Sequence, residues 1–141
     1  MIHETAVIHP NAKVGNNCEI GPFCIITENV ILGDDNYLQS NIRLDGHTTI
    51  GTGNKFFHSA AIGNIPQDLK YSGEPTELLI GNDNTFRECV TVNTSATMDE
   101  PTSIGNNNLL MAYVHVAHHC RLQNNLVIAN AVNLAGHIHI D

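Results

Sequence analysis

Large apolar residues recur at every sixth position from the N-terminus. The series is Ile2, Ile8, Val14, Ile20, Ile26, Leu32, Leu38, Leu44, Ile50, Phe56 and Ile62. A period of six would spread these side chains around an α-helix, and it differs from the alternation of an ordinary half-buried strand. It is typical of a solenoid with three short flat faces, in which each aliphatic side chain points into the interior. Three faces form a coil of about 18 residues, so residues about 18 apart are expected to stack.

Residues that suit sharp turns follow the apolar positions. Glycine comes directly after many of them, as in Val14-Gly15 and Ile20-Gly21, and asparagine is frequent nearby. Gly, Asn and Asp tolerate corner conformations that larger side chains dislike. We therefore expect the corners of the coil to include Asn16, Asn17, Asn29, Asn106, Asn107 and Asn124.

The repeat is interrupted twice. Pro- and Gly-rich residues near 64–79 and a second stretch near 95–103 predict two loops that leave the coil. Between and after them the period resumes, and it runs on to Ile140. The sequence thus predicts an all-β solenoid of about seven three-faced coils that forms one domain over residues 1–141. No cap is expected over the last coil, so either a partner covers it or the chain belongs to something longer.

Charge and composition narrow the function classes. Fourteen Asp and Glu against six Lys and Arg give a formal net charge of −8, which disfavours a nucleic-acid partner. No apolar run is long enough to span a membrane, and the N-terminus lacks the features of a secretory signal, so a cytoplasmic location is expected. Cys18, Cys24, Cys89 and Cys120 form no CxxC pair and are expected to be small buried hydrophobes.

Histidines cluster in one short stretch. His115, His118 and His119 lie in the segment HVAHHC, and Gly136 and His137 follow one coil later. One hypothesis is that His115, His119 and His137 bind a metal such as zinc. His47 and His58 are expected at the surface or at an interface, and His3, His9 and His139 receive no role.

The repeat resembles that of the left-handed parallel β-helix acyltransferases. Four segments narrow this resemblance: QDLKYSGEPT at 67–76, NLLM at 108–111, HVAHHC at 115–120 and LAGH at 134–137. In this order they resemble the acyl-ACP–UDP-N-acetylglucosamine O-acyltransferases of lipid A biosynthesis, and DGHT at 45–48 fits the same family. The resemblance covers about the first half of such an enzyme, and the family's later coils and C-terminal helical domain have no counterpart.

This resemblance implies an acyltransferase that moves a 3-hydroxyacyl chain from acyl carrier protein to the 3-hydroxyl of UDP-N-acetylglucosamine. A histidine suits a general base, and a backbone N–H suits an oxyanion. The implied roles are general base for His118, oxyanion donor for Gly136, substrate contact for Gln67, Asp68, Lys70, His115 and His137, and support for His119. No cofactor is implied. A homotrimer is implied, with each site between neighbouring subunits.

Two positions depart from the family pattern. His119 stands where an Asp often orients the base, and Val92-Asn93-Thr94-Ser95 stands where the family carries a basic motif. The acidic chain is also expected to repel an acidic carrier protein. Two alternatives stay open: a truncated, non-catalytic trimer that binds a nucleotide sugar or a partner, and an acetyl-CoA-dependent acetyltransferase or metal-dependent hydratase.

Overall fold

The computed structural model describes all 141 residues, and its regular elements are twenty short β-strands. In chain order the strands are β1 (Val7–Ile8), β2 (Lys13–Val14), β3 (Glu19–Ile20), β4 (Ile25–Ile26), β5 (Ile31–Leu32), β6 (Tyr37–Leu38), β7 (Arg43–Leu44), β8 (His47–Ile50), β9 (Lys55–Phe56), β10 (Ala61–Asn64), β11 (Glu77–Ile80), β12 (Thr85–Phe86), β13 (Thr91–Asn93), β14 (Thr102–Ile104), β15 (Leu109–Leu110), β16 (His115–Val116), β17 (Arg121–Leu122), β18 (Val127–Ile128), β19 (Asn133–Leu134) and β20 (His139–Ile140).

Successive strands enter three parallel sheets in turn, so each strand pairs with the strand three places later. The first sheet is β1-β4-β7-β10-β13-β16-β19, the second is β2-β5-β8-β11-β14-β17-β20, and the third is β3-β6-β9-β12-β15-β18. This order is that of a three-faced coil, and it confirms the architecture that the six-residue period predicts. The chain has no helix that could cross a membrane.

The second residue of most strands points into the coil and forms the core. These inward side chains are stacked in columns because paired strands share the same register. Ile62, Val92 and Val116 form one such column in the first sheet. Phe56 and Phe86 are fully buried in the third sheet, and their rings are parallel with centroids 4.8 Å apart. The core is therefore one continuous apolar column.

A ladder of buried asparagines runs alongside this column. Asn36, Asn54, Asn84 and Asn108 are each at most 2 % exposed. The Asn54 side chain donates to Oδ1 of Asn36 (3.1 Å), Asn84 donates to Asn54 (3.0 Å), and Asn108 donates to Asn84 (3.0 Å). Oδ1 of the first three also accepts the backbone N–H of the next asparagine, and Oδ1 of Asn108 accepts the N–H of Leu126. The ladder thus satisfies polar groups that burial would otherwise penalise.

Breaking this ladder is expected to cost stability. Asn84→Ala leaves the buried N–H of Asn108 without its acceptor, so the free energy of unfolding should fall by about 1–3 kcal/mol. Asn106→Ala removes an exposed side chain that accepts the N–H of Asn82, and it should change the value by less than about 0.5 kcal/mol. Urea denaturation followed by circular dichroism measures both, and equal losses would contradict a special role for the ladder.

All six asparagines predicted at the corners lie in turns or bends between strands, and the corners also contain larger side chains. Residues with left-handed φ recur with the same period of six, and they include Asn17 and Asn107 as well as larger side chains such as Phe23 and Tyr113. The other predicted corner asparagines, Asn16, Asn29, Asn106 and Asn124, do not have left-handed φ. Ten of the seventeen residues with left-handed φ are Gly, Asn or Asp, as expected, and the other seven have other side chains. Hydrogen bonds to the preceding coil hold the backbone of these larger residues in this conformation. Phe23 N–H donates to Thr5 Oγ1, and Tyr113 N–H donates to the carbonyl of Glu88.

Both long connections leave the coil at the same corner. Residues 65–76 join β10 to β11, and residues 94–101 join β13 to β14, so each runs from the first sheet to the second. The hydrogen bonds of the asparagine ladder span 18 residues in the regular coils, but 30 and 24 across these two insertions. The turns β16–β17 and β19–β20 lie on the same corner, and they contain His118 and Gly136.

Candidate functional site

The histidine cluster forms at the corner between the first and second sheets. His118 and His119 follow β16, and Gly136 and His137 follow β19, one coil later. His137 N–H donates to the carbonyl of His118 (3.1 Å), which ties the two turns together. His119 and His137 both have left-handed φ, of 61° and 66°. The repeat therefore stacks both turns in one register.

His118 lies directly against Gly136. A Cβ at Gly136 would sit 2.5 Å from Cε1 and 2.6 Å from Nε2 of the His118 ring. Any side chain there would overlap the imidazole, so glycine is what permits this approach. The N–H of Gly136 donates no hydrogen bond within the chain. A basic ring nitrogen and a free backbone donor are thus adjacent.

His119 is held from several sides. It is 5 % exposed, its backbone N–H donates to Thr102 Oγ1 (3.0 Å), and its ring is stacked on His137 with centroids 4.3 Å apart. Its Nδ1 lies 3.0 Å from Nδ1 of His118. Burial lowers the pKa of His119, and the neighbouring His137 and His118 lower it further. His119 is therefore a neutral, oriented partner of His118.

Asp68 extends from the first loop towards His118. Its Oδ2 lies 3.8 Å from Nε2 of His118, and its Oδ1 accepts the N–H of Lys70 (2.9 Å). The Lys70 hydrogen bond, with the positive charge that His118 can carry, lowers the pKa of the Asp68 carboxyl. Asp68 is thus an anion beside the ring nitrogen that faces the glycine.

Two cavities meet at Asp68. The cavity of about 280 Å³, here the His115 cavity, is lined by residues of the first sheet and its corner that include Gln67, His115 and His118. The cavity of about 360 Å³, here the His137 cavity, is lined by loop and corner residues that include Lys70 and His137. All the site residues predicted from the sequence therefore border this corner, but Gln67 and Lys70 lie on opposite sides of it.

A metal could be held by three histidines, but not by the set expected. Ligand nitrogens of His118, His119 and His137 lie within 4.8 Å of one another. His115 instead has Nδ1 at 2.6 Å from Thr91 Oγ1, and burial lowers its pKa. Within one chain the three clustered rings therefore include His118 in place of His115, whose outward position on β16 pairs it with Thr91 of the neighbouring strand.

Three further residues border the site without having been predicted as site residues from the sequence. Thr97 and Asp99 belong to the second loop. Oγ1 of Thr97 lies 2.7 Å from Nε2 of His119, and the Thr97 hydroxyl donates to Asp99. Asn93 is buried in the wall of the His115 cavity, and its Oδ1 has no hydrogen-bond partner. No period governs loop residues, so nothing in the repeat pointed to Thr97 or Asp99.

Acid should destabilise the fold partly through His119. The unfolded residue titrates near a pKa of about 6.5, whereas the folded one has a lower pKa, so the unfolded state binds more protons as the pH falls. The free energy of unfolding should therefore fall between pH 7.5 and 5.5. His119→Asn, which tolerates the left-handed corner, should reduce that fall. His58→Asn, at an exposed corner that does not contact His119, is the control, and an equal reduction in both variants would contradict the assignment.

The similar sequences and solved structures carry the name of one enzyme. No family model matches the chain. It is 45 % identical over 141 residues to the acyl-[acyl-carrier-protein]–UDP-N-acetylglucosamine O-acyltransferase of Thermodesulfovibrio yellowstonii, covering 99 % of this chain and 55 % of the relative. The crystal structure of the UDP-N-acetylglucosamine acyltransferase LpxA from Bacteroides fragilis superposes with a TM-score of 0.97 at 47 % identity, covering 100 % and 55 %.

A second solved structure, LpxA from Acinetobacter baumannii, gives a TM-score of 0.95 at 42 % identity, covering 98 % of this chain and 54 % of that one. The fold is accordingly the left-handed parallel β-helix that the resemblance implies. The chain spans about half the length of the relatives it matches.

Proposed function

This chain is homologous over its whole length to the N-terminal half of the acyl-ACP–UDP-N-acetylglucosamine O-acyltransferases, and we propose that its histidine corner is the acyl-transfer site of such an enzyme. The reaction joins a 3-hydroxyacyl group from acyl carrier protein to the 3-hydroxyl of UDP-N-acetylglucosamine. The observation that carries the proposal is the contact between the His118 ring and Gly136, which pairs a base with a free N–H donor.

In this proposal Nε2 of His118 takes the proton of the sugar hydroxyl as its oxygen attacks the thioester carbon. The Gly136 N–H donates to the carbonyl oxygen, which becomes an anion in the tetrahedral intermediate. The C–S bond then breaks, the proton passes from His118 to the leaving thiolate, and the ester is released with a free thiol. Asp68, an anion 3.8 Å from Nε2, stabilises the imidazolium that forms in between.

The two cavities divide the substrate contacts. Gln67, His115 and the unpaired Oδ1 of Asn93 border the His115 cavity, which suits hydroxyl and amide groups of a sugar. Lys70 and His137 border the His137 cavity. Asp68, Glu74, Asp99 and Glu100 also line it, so this cavity suits hydroxyl and amide donors rather than an anionic group. Asp68 lies between both cavities and so faces the reacting centre.

We also propose that the chain forms a homotrimer with sites between subunits. The support is that both loops beside the site carry apolar side chains into solvent: Ile65 and Leu69 on the first, and Met98 on the second. A neighbouring subunit would cover them. Size-exclusion chromatography with light scattering should give three times the chain mass, and a monomer would contradict the trimer.

The transferase proposal is tested by mass spectrometry. The chain is incubated with UDP-N-acetylglucosamine and 3-hydroxyacyl-ACP, and the expected product is the 3-O-acylated sugar nucleotide together with free ACP thiol. Binding of UDP-N-acetylglucosamine without product would overturn the proposal and support the non-catalytic alternative. Product formed with acetyl-CoA in place of acyl-ACP would overturn the assignment of the donor.

A further inference from the structure

A continuous row of hydrogen bonds connects His118 to a carboxylate on the second loop. His118 Nδ1 lies 3.0 Å from Nδ1 of His119, and His119 Nε2 lies 2.7 Å from Oγ1 of Thr97. The Thr97 hydroxyl donates to Oδ1 of Asp99. No member of this row is adjacent in sequence to the next except the two histidines, so the second loop has to fold back onto the corner to complete it.

The chemistry of the partners fixes the direction of every bond in the row. An ionised carboxylate only accepts, so the single proton of the Thr97 hydroxyl goes to Asp99. The Thr97 oxygen must then accept from Nε2–H of His119. A neutral imidazole carries one N–H, so Nδ1 of His119 is an acceptor, and it receives Nδ1–H of His118. That leaves Nε2 of His118 unprotonated, on the side of Gly136 and Asp68.

The surroundings keep each partner in the state that this direction needs. Burial lowers the pKa of His119, so the ring stays neutral near pH 7. The hydrogen bond from Thr97 lowers the pKa of Asp99, so it stays ionised. The ring of His119 is also clamped by stacking on His137 and by its backbone bond to Thr102. The other charged groups bordering this corner are Asp68, Lys70, Glu74 and Glu100.

We propose that Thr97 and Asp99 are positioning residues for His118, acting through His119. They select the tautomer in which Nε2 is the free base, and they direct a negative charge towards the imidazolium that forms when Nε2 takes a proton. This inference rests on the proposed role of His118 as general base. It explains how a neutral His119 can stand beside the base. The negative charge is that of Asp99, which polarises His119 through the hydrogen bond of the Thr97 hydroxyl.

Long-range ¹H–¹⁵N NMR of the histidine rings tests the assignment directly in the whole chain, purified with chelator. We expect the proton on Nδ1 in His118 and on Nε2 in His119. Thr97→Val removes the acceptor for His119 and should scramble both tautomers, whereas Thr97→Ser should restore them. A proton on Nε2 of His118 in the wild type, or the same spectrum for the Val and Ser variants, would overturn the inference.

Steady-state kinetics of the same variants give a second test of the positioning role of Thr97. Thr97→Val should lower kcat for acyl transfer by about 10–100-fold with little change in KM, as is usual for partners that orient a histidine, and Thr97→Ser should recover most of it. Equal kcat in the Val and Ser variants would overturn the inference. If wild-type chain makes no product, the proposed function fails while the tautomers remain measurable. Stoichiometric Zn²⁺ that binds all three rings and removes the Nδ1–H signal of His118 would instead identify the cluster as a metal site and overturn the row.

Discussion

His118→Ala is expected to lower the rate of acyl transfer by about 10²–10⁴-fold, the usual contribution of a positioned general base. The side chain is partly exposed at the corner, with 16 % of its surface accessible, so its loss removes the base without emptying the core. The rate of formation of acylated UDP-N-acetylglucosamine, measured at saturating donor and acceptor, gives the effect.

His58→Ala is the matched control for this prediction. His58 is exposed at another corner, between the third and first sheets, and its Nδ1 lies 2.9 Å from Ser40 Oγ. Its removal should leave the rate within about twofold of wild type, because a change of less than about 0.5 kcal/mol is the norm away from a site. Full activity of His118→Ala, or an equal loss in His58→Ala, would refute the choice of base.

Phe86→Ala is expected to destabilise the fold by about 3–5 kcal/mol. The ring is fully buried, and it is stacked face to face on Phe56, so truncation leaves a cavity in the middle of the column that the short strands cannot close. Urea denaturation followed by circular dichroism should show a much lower midpoint.

Phe23→Ala makes the same chemical change at an exposed corner. Phe23 is 61 % exposed, so its loss should cost less than about 1 kcal/mol. A similar loss in both variants would mean that the third-sheet aromatics do not carry the core.

The architecture was predictable because it is periodic. Each aliphatic position, such as Ile20, Leu38 or Val116, is the inward-facing residue of one short strand. Their recurrence every six residues therefore predicts three parallel sheets. The corners were less predictable. Phe23 and Tyr113 adopt left-handed φ because the coils packed on either side hold the backbone in this conformation. This packing outweighs the intrinsic preference for Gly and Asn.

The candidate site was likewise predictable from the sequence only in part. The stacking of His118 on Gly136 follows from the repeat, since both occupy one register position in consecutive coils. The approach of Asp68 depends on motif resemblance, because the first loop has no period. Thr97 and Asp99 could not be found from either source: their place depends on how the second loop folds back onto His119. Long-range loop contacts of this kind leave no pattern in a single sequence.

His118 and Gly136 are expected to act as one unit in acyl transfer, and a double-mutant cycle on the transfer rate measures the coupling between them. Gly136→Ala places a methyl group where it overlaps the His118 ring, so the rate should fall by about 10²-fold through displacement of the base. The Gly136→Ala, His118→Ala double variant should then be no slower than His118→Ala alone. Wild-type activity in Gly136→Ala, or losses that multiply in the double variant, would mean that the two residues act independently.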